Sequence, residues 1–224
     1  MGLTLPPGAF AAFETFGELL ERRRNAVNLT AITGVENVAR LHFLDCIALT
    51  KAYDFKDKGV IDVGSGAGFP GMPIKIAEPS VGLTLLDATG KRVAFLSELC
   101  LALGIAAECV QARAEEAARD AKMRERFDVA VSRAVARLNV LCELCLPYVR
   151  VGGAFIAMKS ADSDDELAEA GGAMETLGAM QERIFTYTIP GADIVRRAVI
   201  IRKISPTPGE YPRRFARIQK SPLS

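Results

Sequence analysis

Several features that would point to a membrane or a secreted protein are missing from this sequence of 224 residues. It has no apolar run of roughly 18 or more residues, the length that a membrane-spanning helix needs. Its opening residues, MGLTLPPGAF, lack the basic-then-apolar order of a signal peptide. We therefore expect a soluble, cytoplasmic protein with no membrane partner.

Ligands for metal ions are scarce. The five cysteines, an odd number spread along the chain, are typical of small core residues in a reducing compartment. Cys142 and Cys145 are spaced like half of a metal or redox motif, but their i, i+3 spacing among leucines indicates the core face of a helix. The single histidine, His42, lies in a predicted helix, where a structural role is commoner than catalysis. We therefore expect no metal site.

The net charge is only +1, yet the charges are unevenly distributed. Residues 161–175 carry six acids and no Lys or Arg, whereas residues 190–224 carry eight bases and two acids, a net charge of +6. A basic C-terminal segment after an acidic helix suggests an edge that faces a polyanion. An ordinary solvated tail is the alternative.

The chain is organised around residues 60–71, VIDVGSGAGFPG. The first four residues predict a buried strand, and Pro70 favours the first turn of a helix. Between them lie glycines, which let the backbone turn sharply and approach a ligand. They are Gly64, Gly66, Gly68 and Gly71. This strand–loop–helix unit predicts a ligand site at the carboxyl end of the strand.

Two features of the loop favour S-adenosylmethionine over NAD. A carboxylate at Asp62 would repel a pyrophosphate but suits the ammonium group of a methionine. The glycines are also shifted towards the strand compared with the dinucleotide pattern, which residues 66–71 nevertheless satisfy formally. Asp87, at the end of the next predicted strand, would accept hydrogen bonds from the ribose of either cofactor. NAD and a glycine turn without a ligand remain as alternatives.

Strands and helices alternate along the rest of the chain. Further strands are predicted at 83–87, 105–110, 127–132 and 154–159, and two β-rich stretches, 183–189 and 194–204, can pair as a hairpin. We expect an α/β fold of the Rossmann-like class I methyltransferase type, with a mostly parallel seven-stranded sheet, a C-terminal antiparallel hairpin and N-terminal helices.

This pattern divides the chain into three parts. Residues 1–54 are predicted to form a helical extension packed on the core, 55–205 the methyltransferase domain that binds S-adenosylmethionine, and 206–224 a basic tail. The fourth and fifth strands would carry Arg133 and Lys159 to the rim where the cofactor lies.

Together these motifs resemble one family, the bacterial small-subunit rRNA guanine-N7 methyltransferases, also called RsmG or GidB. The matching segments are NLTAIT at 28–33, RLHFLDC at 40–46, VIDVGSGAGFPGMPIKI at 60–76, RAE at 113–115, FDVAVSRAVARL at 127–138, GGAFIAMK at 152–159 and YPRR at 211–214. The family usually has Glu-Ser and paired lysines where this chain has Asp87-Ala88-Thr89-Gly90-Lys91-Arg92, glycine at Ser160 and serine at Cys46.

The resemblance implies the reaction. The substrate would be 16S rRNA, within the small ribosomal subunit or a precursor, methylated at N7 of the guanine at position 527 in the 530 loop. Because guanine N7 has a lone pair and no proton at neutral pH, we expect direct in-line attack without a general base. The motif and the resemblance together predict a cofactor site. It comprises Asp62, Gly64, Gly66, Gly68, Phe69, Asp87, Ala114, Glu115 and Arg133.

Catalysis would rest on positioning, for which Arg133, His42 and Lys159 are the candidates. Phosphate or base contacts are predicted for five arginines: Arg40, Arg196, Arg197, Arg213 and Arg214. We expect a monomer. A methyltransferase acting on another RNA, a protein or a small molecule, an NAD-dependent oxidoreductase and a non-catalytic ribosome-assembly factor remain as alternatives.

Overall fold

The computed structural model describes residues 2–27, 32, 34–133 and 136–224, and for residues 24–27 it describes the backbone only. Two helical segments come first. The first is α1 (Ala9–Val27). The second consists of α2 (Val35–Val38), a π-helical turn (Ala39–Leu44), α3 (Asp45–Ile47) and α4 (Leu49–Ala52). The NLTAIT segment of the family resemblance lies almost entirely outside the described residues.

The alternating part of the chain follows. It consists of β1 (Gly59–Val63), α5 (Gly71–Ala77), β2 (Gly82–Asp87), α6 (Gly90–Leu103), β3 (Ala107–Gln111), α7 (Ala114–Ala117), β4 (Phe127–Arg133), α8 (Leu138–Cys145), a 3₁₀ turn (Leu146–Tyr148) and β5 (Val149–Ser160). The chain ends with α9 (Asp164–Glu169), α10 (Gly171–Thr176), β6 (Ala179–Ile189), β7 (Ile194–Lys203) and α11 (Phe215–Lys220).

All seven strands form one sheet in the order β3-β2-β1-β4-β5-β7-β6. β7 runs antiparallel to both β5 and β6, and the other pairs are parallel. The predicted Rossmann-like sheet with an antiparallel hairpin is therefore confirmed. Because the strand order reverses between β1 and β4, a crevice opens there at the carboxyl ends of the strands.

Two hydrophobic layers cover the sheet. Successive residues of a strand point to opposite faces, so Val60 packs with the N-terminal helices, α5 and α6, whereas Ile61 packs with α8 and α10. Phe16 and Leu20 of α1 are fully buried in the first layer, and α1 contacts α5 and α6. The N-terminal helices thus contribute to the core beside the glycine loop.

Some predicted boundaries differ from the structure. The predicted acidic helix is two helices, α9 and α10, and the predicted basic tail contains the helix α11. This tail is also packed on the protein, because Ile218 is fully buried in the second layer. Among the described residues, no helix is long and apolar enough to cross a membrane.

The cysteines match the prediction of core residues with one exception. Cys46, Cys100, Cys142 and Cys145 are buried, whereas Cys109 on β3 is partly exposed. Burial raises the pKa of Cys46, Cys142 and Cys145. The thiol of Cys100, with its Sγ 3.8 Å from the Sγ of Cys109, lowers the pKa of Cys109 to about 7.

This difference predicts selective alkylation. At neutral pH Cys109 should react with iodoacetamide at least about tenfold faster than the other four cysteines, because the thiolate is the reacting form and only this thiol is partly exposed. Peptide mass spectrometry of the native protein would measure the rates. A Cys109→Ser variant should lose the fast phase, and equal labelling of Cys109 and Cys142 would contradict the prediction.

Candidate functional site

The glycine loop after β1 owes its shape to its backbone angles. Gly64, Gly66 and Gly68 have φ values of 76°, 58° and 93°, which side-chain-bearing residues rarely adopt. The loop then folds back over the strand, and the N–H of Gly71 donates a hydrogen bond of 2.8 Å to Oδ2 of Asp62. The motif thus forms a tight turn whose backbone lies at the crevice.

Asp62 lies behind this loop. Its side chain is fully buried, and its second oxygen, Oδ1, has no hydrogen-bond partner among the described residues. Burial raises the pKa of Asp62 to about 7, although the Gly71 N–H and the charge of Arg133 act in the opposite direction. Asp62 therefore positions the loop in this structure, and its predicted contact with a ligand ammonium remains a prediction.

The raised pKa predicts a pH dependence of stability. Between about pH 4 and pH 7 the native carboxyl keeps its proton while the unfolded one releases it, so the contribution of Asp62 falls as pH rises. An Asp62→Asn variant lacks this titration. The free energy of unfolding of the wild type relative to this variant should therefore fall with pH by up to about 1.4 kcal/mol per unit.

Urea unfolding of both proteins at several pH values would measure this difference. The titration of His42 changes the free energy of unfolding in the opposite direction. Because its pKa is lowered in the native state, stability rises with pH below 6.5. Both proteins keep His42, so its contribution cancels in the comparison. A difference that stays constant from pH 4 to pH 7 would show that Asp62 is already ionised in the native state.

Asp87 joins the ends of β1 and β2. Its Oδ2 accepts a hydrogen bond of 3.0 Å from the N–H of Gly66, and its Oδ1 accepts one of 2.8 Å from the N–H of Thr89. Nη1 of Arg92 lies 3.5 Å from Oδ2. The carboxylate thus holds the loop in place while it lines the neighbouring pocket.

The pocket has a volume of about 190 Å³ and lies at the carboxyl ends of β1, β2 and β3. Four predicted site residues line it: Gly64, Asp87, Ala114 and Glu115. The other lining residues are not among the nine cofactor residues named from the sequence; they are Val63, Leu86, Ala88, Thr89, Arg92, Ala112, Arg113, Leu141, Leu144 and Phe215. Apolar side chains beside two carboxylates suit the purine and the hydroxyl groups of an adenosine, so these residues fit the predicted cofactor.

Arg133, at the end of β4, belongs to a second cluster. Its Nη2 donates to Nδ1 of His42 at 2.9 Å, and its guanidinium carbon lies 4.7 Å from the centre of the Phe69 ring. Nη1 lies 3.6 Å from Oδ2 of Asp45 and donates to the carbonyl of Leu41 at 3.4 Å. The structure therefore brings together three predicted site residues, Arg133, His42 and Phe69.

Aromatic stacking completes this cluster. The Phe69 ring stacks on His42, with centroids 4.5 Å apart, and on Phe16 of α1, with centroids 5.0 Å apart. Phe69 is buried between these rings and does not line the described pocket. A direct contact between Phe69 and a cofactor therefore remains a prediction.

Burial shifts the pKa values of two groups in this cluster. Burial, with a smaller effect from Arg133, lowers the pKa of His42 to about 3, so the imidazole is neutral at physiological pH. Since a guanidinium can only donate, Nδ1 of His42 is the acceptor and Nε2 carries the proton. Burial raises the pKa of Asp45, which accepts a hydrogen bond of 2.8 Å from the Tyr187 hydroxyl.

Two further predicted cofactor residues, Gly66 and Gly68, help to shape the glycine loop. Gly66 donates to Asp87, as described above, and the Cα of Gly68 faces Met72 and Leu96, since a side chain there would meet both at 3.4 Å. Lys159, a candidate for catalysis, follows Met158, the residue of β5 that pairs with Arg133. Its ammonium donates to Glu166 at 2.6 Å and to the carbonyl of Ala136 at 2.7 Å.

The five arginines predicted to bind substrate differ in their surroundings. Arg197 is paired with Asp164 at 2.6 Å, and Arg213 is paired with the buried Glu143 at 2.6 Å. Arg40 is more exposed and bonds to Glu36 and to the carbonyl of Gly191. Arg196 lies opposite Tyr187 in the hairpin, and its charge partly opposes the rise in the pKa of Asp45 that burial causes; Arg214 is exposed.

The sequence and the fold place this chain among known proteins. A family model described as rRNA small subunit methyltransferase G matches residues 9–195. A protein named ribosomal RNA small subunit methyltransferase G from Clostridium perfringens is 43% identical over 225 residues, covering 100% of this chain and 94% of the relative. The protein of the same name from Exiguobacterium is 42% identical, covering 99% and 94%.

Solved structures share the fold at lower identity. A SAM-dependent methyltransferase from Aquifex aeolicus superposes with a TM-score of 0.54 and 18% identity, covering 74% of this chain and 93% of that one. M. jannaschii TYW2 in complex with AdoMet gives 0.53 and 11%, covering 71% and 77%. The chain therefore belongs to the rRNA small subunit methyltransferase G family, and its cofactor is S-adenosylmethionine.

Proposed function

We propose that this chain methylates N7 of a guanine in 16S rRNA, at position 527 in the 530 loop. The observation that carries the proposal is the match over the whole chain to relatives named for small-subunit rRNA methylation. The cofactor pocket at the carboxyl ends of β1, β2 and β3 supports it, because an enzyme of this kind needs such a site.

The proposed acceptor needs no general base. Guanine N7 offers a lone pair and carries no proton at neutral pH, and bound S-adenosylmethionine supplies an electrophilic methyl group. His42 agrees with this chemistry, since its low pKa and its bond to Arg133 make it a positioning group and a poor base. We propose that in-line alignment of the guanine supplies most of the rate acceleration.

For the cofactor we propose the pocket described above. Gly64, Ala114 and Glu115 would lie beside the adenosine, and Asp87 would accept from the ribose while it holds the loop. Asp62 and the glycines shape the loop from behind. When Asp62 is ionised, its unpartnered Oδ1 would be an acceptor for the ammonium of the cofactor.

For the rRNA we propose the surface around Arg133. Arg40 lies on this side because it is in the π-helical turn that carries His42. Arg196 lies there as well, because its positive charge is close enough to Asp45 to oppose the rise in the pKa of that carboxyl. Arg214 would add a phosphate contact from the C-terminal segment. Arg197 and Arg213 are engaged with Asp164 and Glu143, so we assign them weaker roles.

The proposal is tested by comparing methyl acceptors. Purified protein and tritiated S-adenosylmethionine are incubated with 30S subunits, deproteinised 16S rRNA or 50S subunits from a strain that lacks the corresponding gene. We expect incorporation into 30S subunits or 16S rRNA and none into 50S subunits. Their ratio shows whether an assembled particle is the substrate. Cofactor binding without incorporation into any of the three would contradict the proposal.

We further propose that the protein acts as a cytoplasmic monomer.

A further inference from the structure

Phe215 lines the cofactor pocket from the far end of the chain. The other lining residues lie between Val63 and Leu144, whereas Phe215 is the first residue of α11 in the C-terminal segment. It faces the same space as Leu141 and Leu144 of α8. The basic tail therefore supplies one wall of the pocket.

A buried ion pair holds this wall in place. Glu143 of α8 is fully buried, and its carboxylate accepts hydrogen bonds from Arg213: one of 2.7 Å from the backbone N–H, one of 2.9 Å from Nε and one of 2.6 Å from Nη2. Such two-pronged pairs fix orientation as well as distance. Glu143 lies next to Leu144 in sequence and Arg213 is two residues from Phe215, so the pair ties together two parts of the same wall.

Further bonds attach the segment to the loop after α7. Arg119 donates to the carbonyls of Glu210 and Pro212, and Arg124 donates to those of Thr207 and Tyr211. These arginines follow Ala114 and Glu115, which line the pocket on another side. The C-terminal segment is therefore bonded to two of the elements that line the pocket.

We propose that Phe215 is a cofactor-binding residue that packs against the adenosine of S-adenosylmethionine, with Glu143 and Arg213 as its positioning residues. The proposal rests on the assignment of this pocket to the cofactor. An aromatic ring suits the position because it presents a large apolar surface to a purine. The consequence is linkage: cofactor binding stabilises the docked C-terminal segment, and the docked segment strengthens cofactor binding.

Binding measurements test the role of Phe215 without any rRNA. Titration calorimetry with S-adenosylhomocysteine should show a Kd at least about tenfold higher for Phe215→Ala and a smaller rise for Phe215→Leu. Arg217→Ala, an exposed residue of the same helix, is the matched control and should bind like the wild type. Thermal unfolding verifies that each variant is folded.

Two outcomes would overturn the proposal. One is a Kd for Phe215→Ala within twofold of the wild type in a folded protein. The other is a wild type that does not bind S-adenosylhomocysteine, which would also remove the pocket assignment. Failure of rRNA methylation with intact binding would instead refute only the proposed substrate.

The positioning role of Arg213 has its own signature. Arg213→Lys keeps the positive charge but loses the planar guanidinium whose Nε and Nη2 both donate to Glu143. It should therefore raise KM for the cofactor severalfold while kcat at saturating cofactor stays within about twofold. Cofactor should also slow tryptic cleavage at the exposed Arg214 and Arg217 in the wild type, and less so in the Phe215→Ala variant. A fall in kcat with unchanged KM and unchanged protection would contradict this role.

Discussion

Replacing Gly71 with alanine should lower the free energy of unfolding by about 1–3 kcal/mol and weaken cofactor binding at least tenfold. A Cβ at this position would lie 2.9 Å from both Cβ and Oδ2 of Asp62 and 3.1 Å from Cδ1 of Leu83. Asp62 is fully buried and Leu83 nearly so, which leaves them little room to move away. The added methyl group would therefore push the glycine loop outward and strain the bond between Gly71 and Asp62.

Gly171→Ala provides the matched control. Gly71 and Gly171 are each the first residue of a helix, but a Cβ at Gly171 would meet nothing within 4 Å. Alanine should be neutral there or stabilise by up to about 1 kcal/mol through its higher helix propensity. Thermal unfolding and calorimetric titration with S-adenosylhomocysteine would measure both effects. Equal effects of the two substitutions would show that contacts of a Cβ at Gly71 with Asp62 and Leu83 affect neither stability nor cofactor binding.

The second large effect concerns Arg133. Arg133→Ala should reduce the rate of methyl transfer at least about 100-fold, because loss of the guanidinium frees the orientation of His42 and removes the cation over Phe69. It should also destabilise the fold, since Asp45 is buried and Arg133 lies against it. Methyl transfer to 30S subunits, at saturating cofactor, and urea unfolding would measure the two effects.

Two further variants separate charge from geometry at this position. Arg133→Lys should recover part of the stability through its charge but little of the activity, because an ammonium cannot reproduce the planar contacts with His42 and Phe69. Arg23→Ala, which breaks an exposed ion pair with Glu98, should leave both the midpoint of urea unfolding and the activity close to those of the wild type. Activity of Arg133→Ala within a few-fold of the wild type would refute the role assigned to Arg133.

The elements that sequence alone could predict are those encoded locally. The strand, the glycine loop that follows it and the acid at Asp87 all follow from residue types at close spacing. The seven-stranded sheet was likewise predictable, because most of its strands are apolar or rich in β-branched and aromatic residues and each is separated from the next by a helical pattern or a turn.

The missed features depend on contacts between distant residues. Phe215 reaches the pocket because Arg213 binds Glu143, 70 residues earlier in the chain, and no local pattern reveals that partner. The same contact explains why Arg213, predicted to bind substrate from its charge, is engaged inside the protein. Phe69 was assigned to the cofactor site by the family resemblance, but its packing depends on Phe16 in α1, a helix that only tertiary structure brings to the loop.

Mapping the transferred methyl group tests the proposed reaction most directly. 30S subunits from a strain lacking the corresponding gene would be incubated with this protein and S-adenosylmethionine, and the 16S rRNA would then be cleaved chemically at N7-methylguanine. We expect one new cleavage, at guanine 527 of the 530 loop, that disappears when Arg133→Ala replaces the wild type. Methyl incorporation without cleavage at that guanine would show that the acceptor is another atom or another nucleotide.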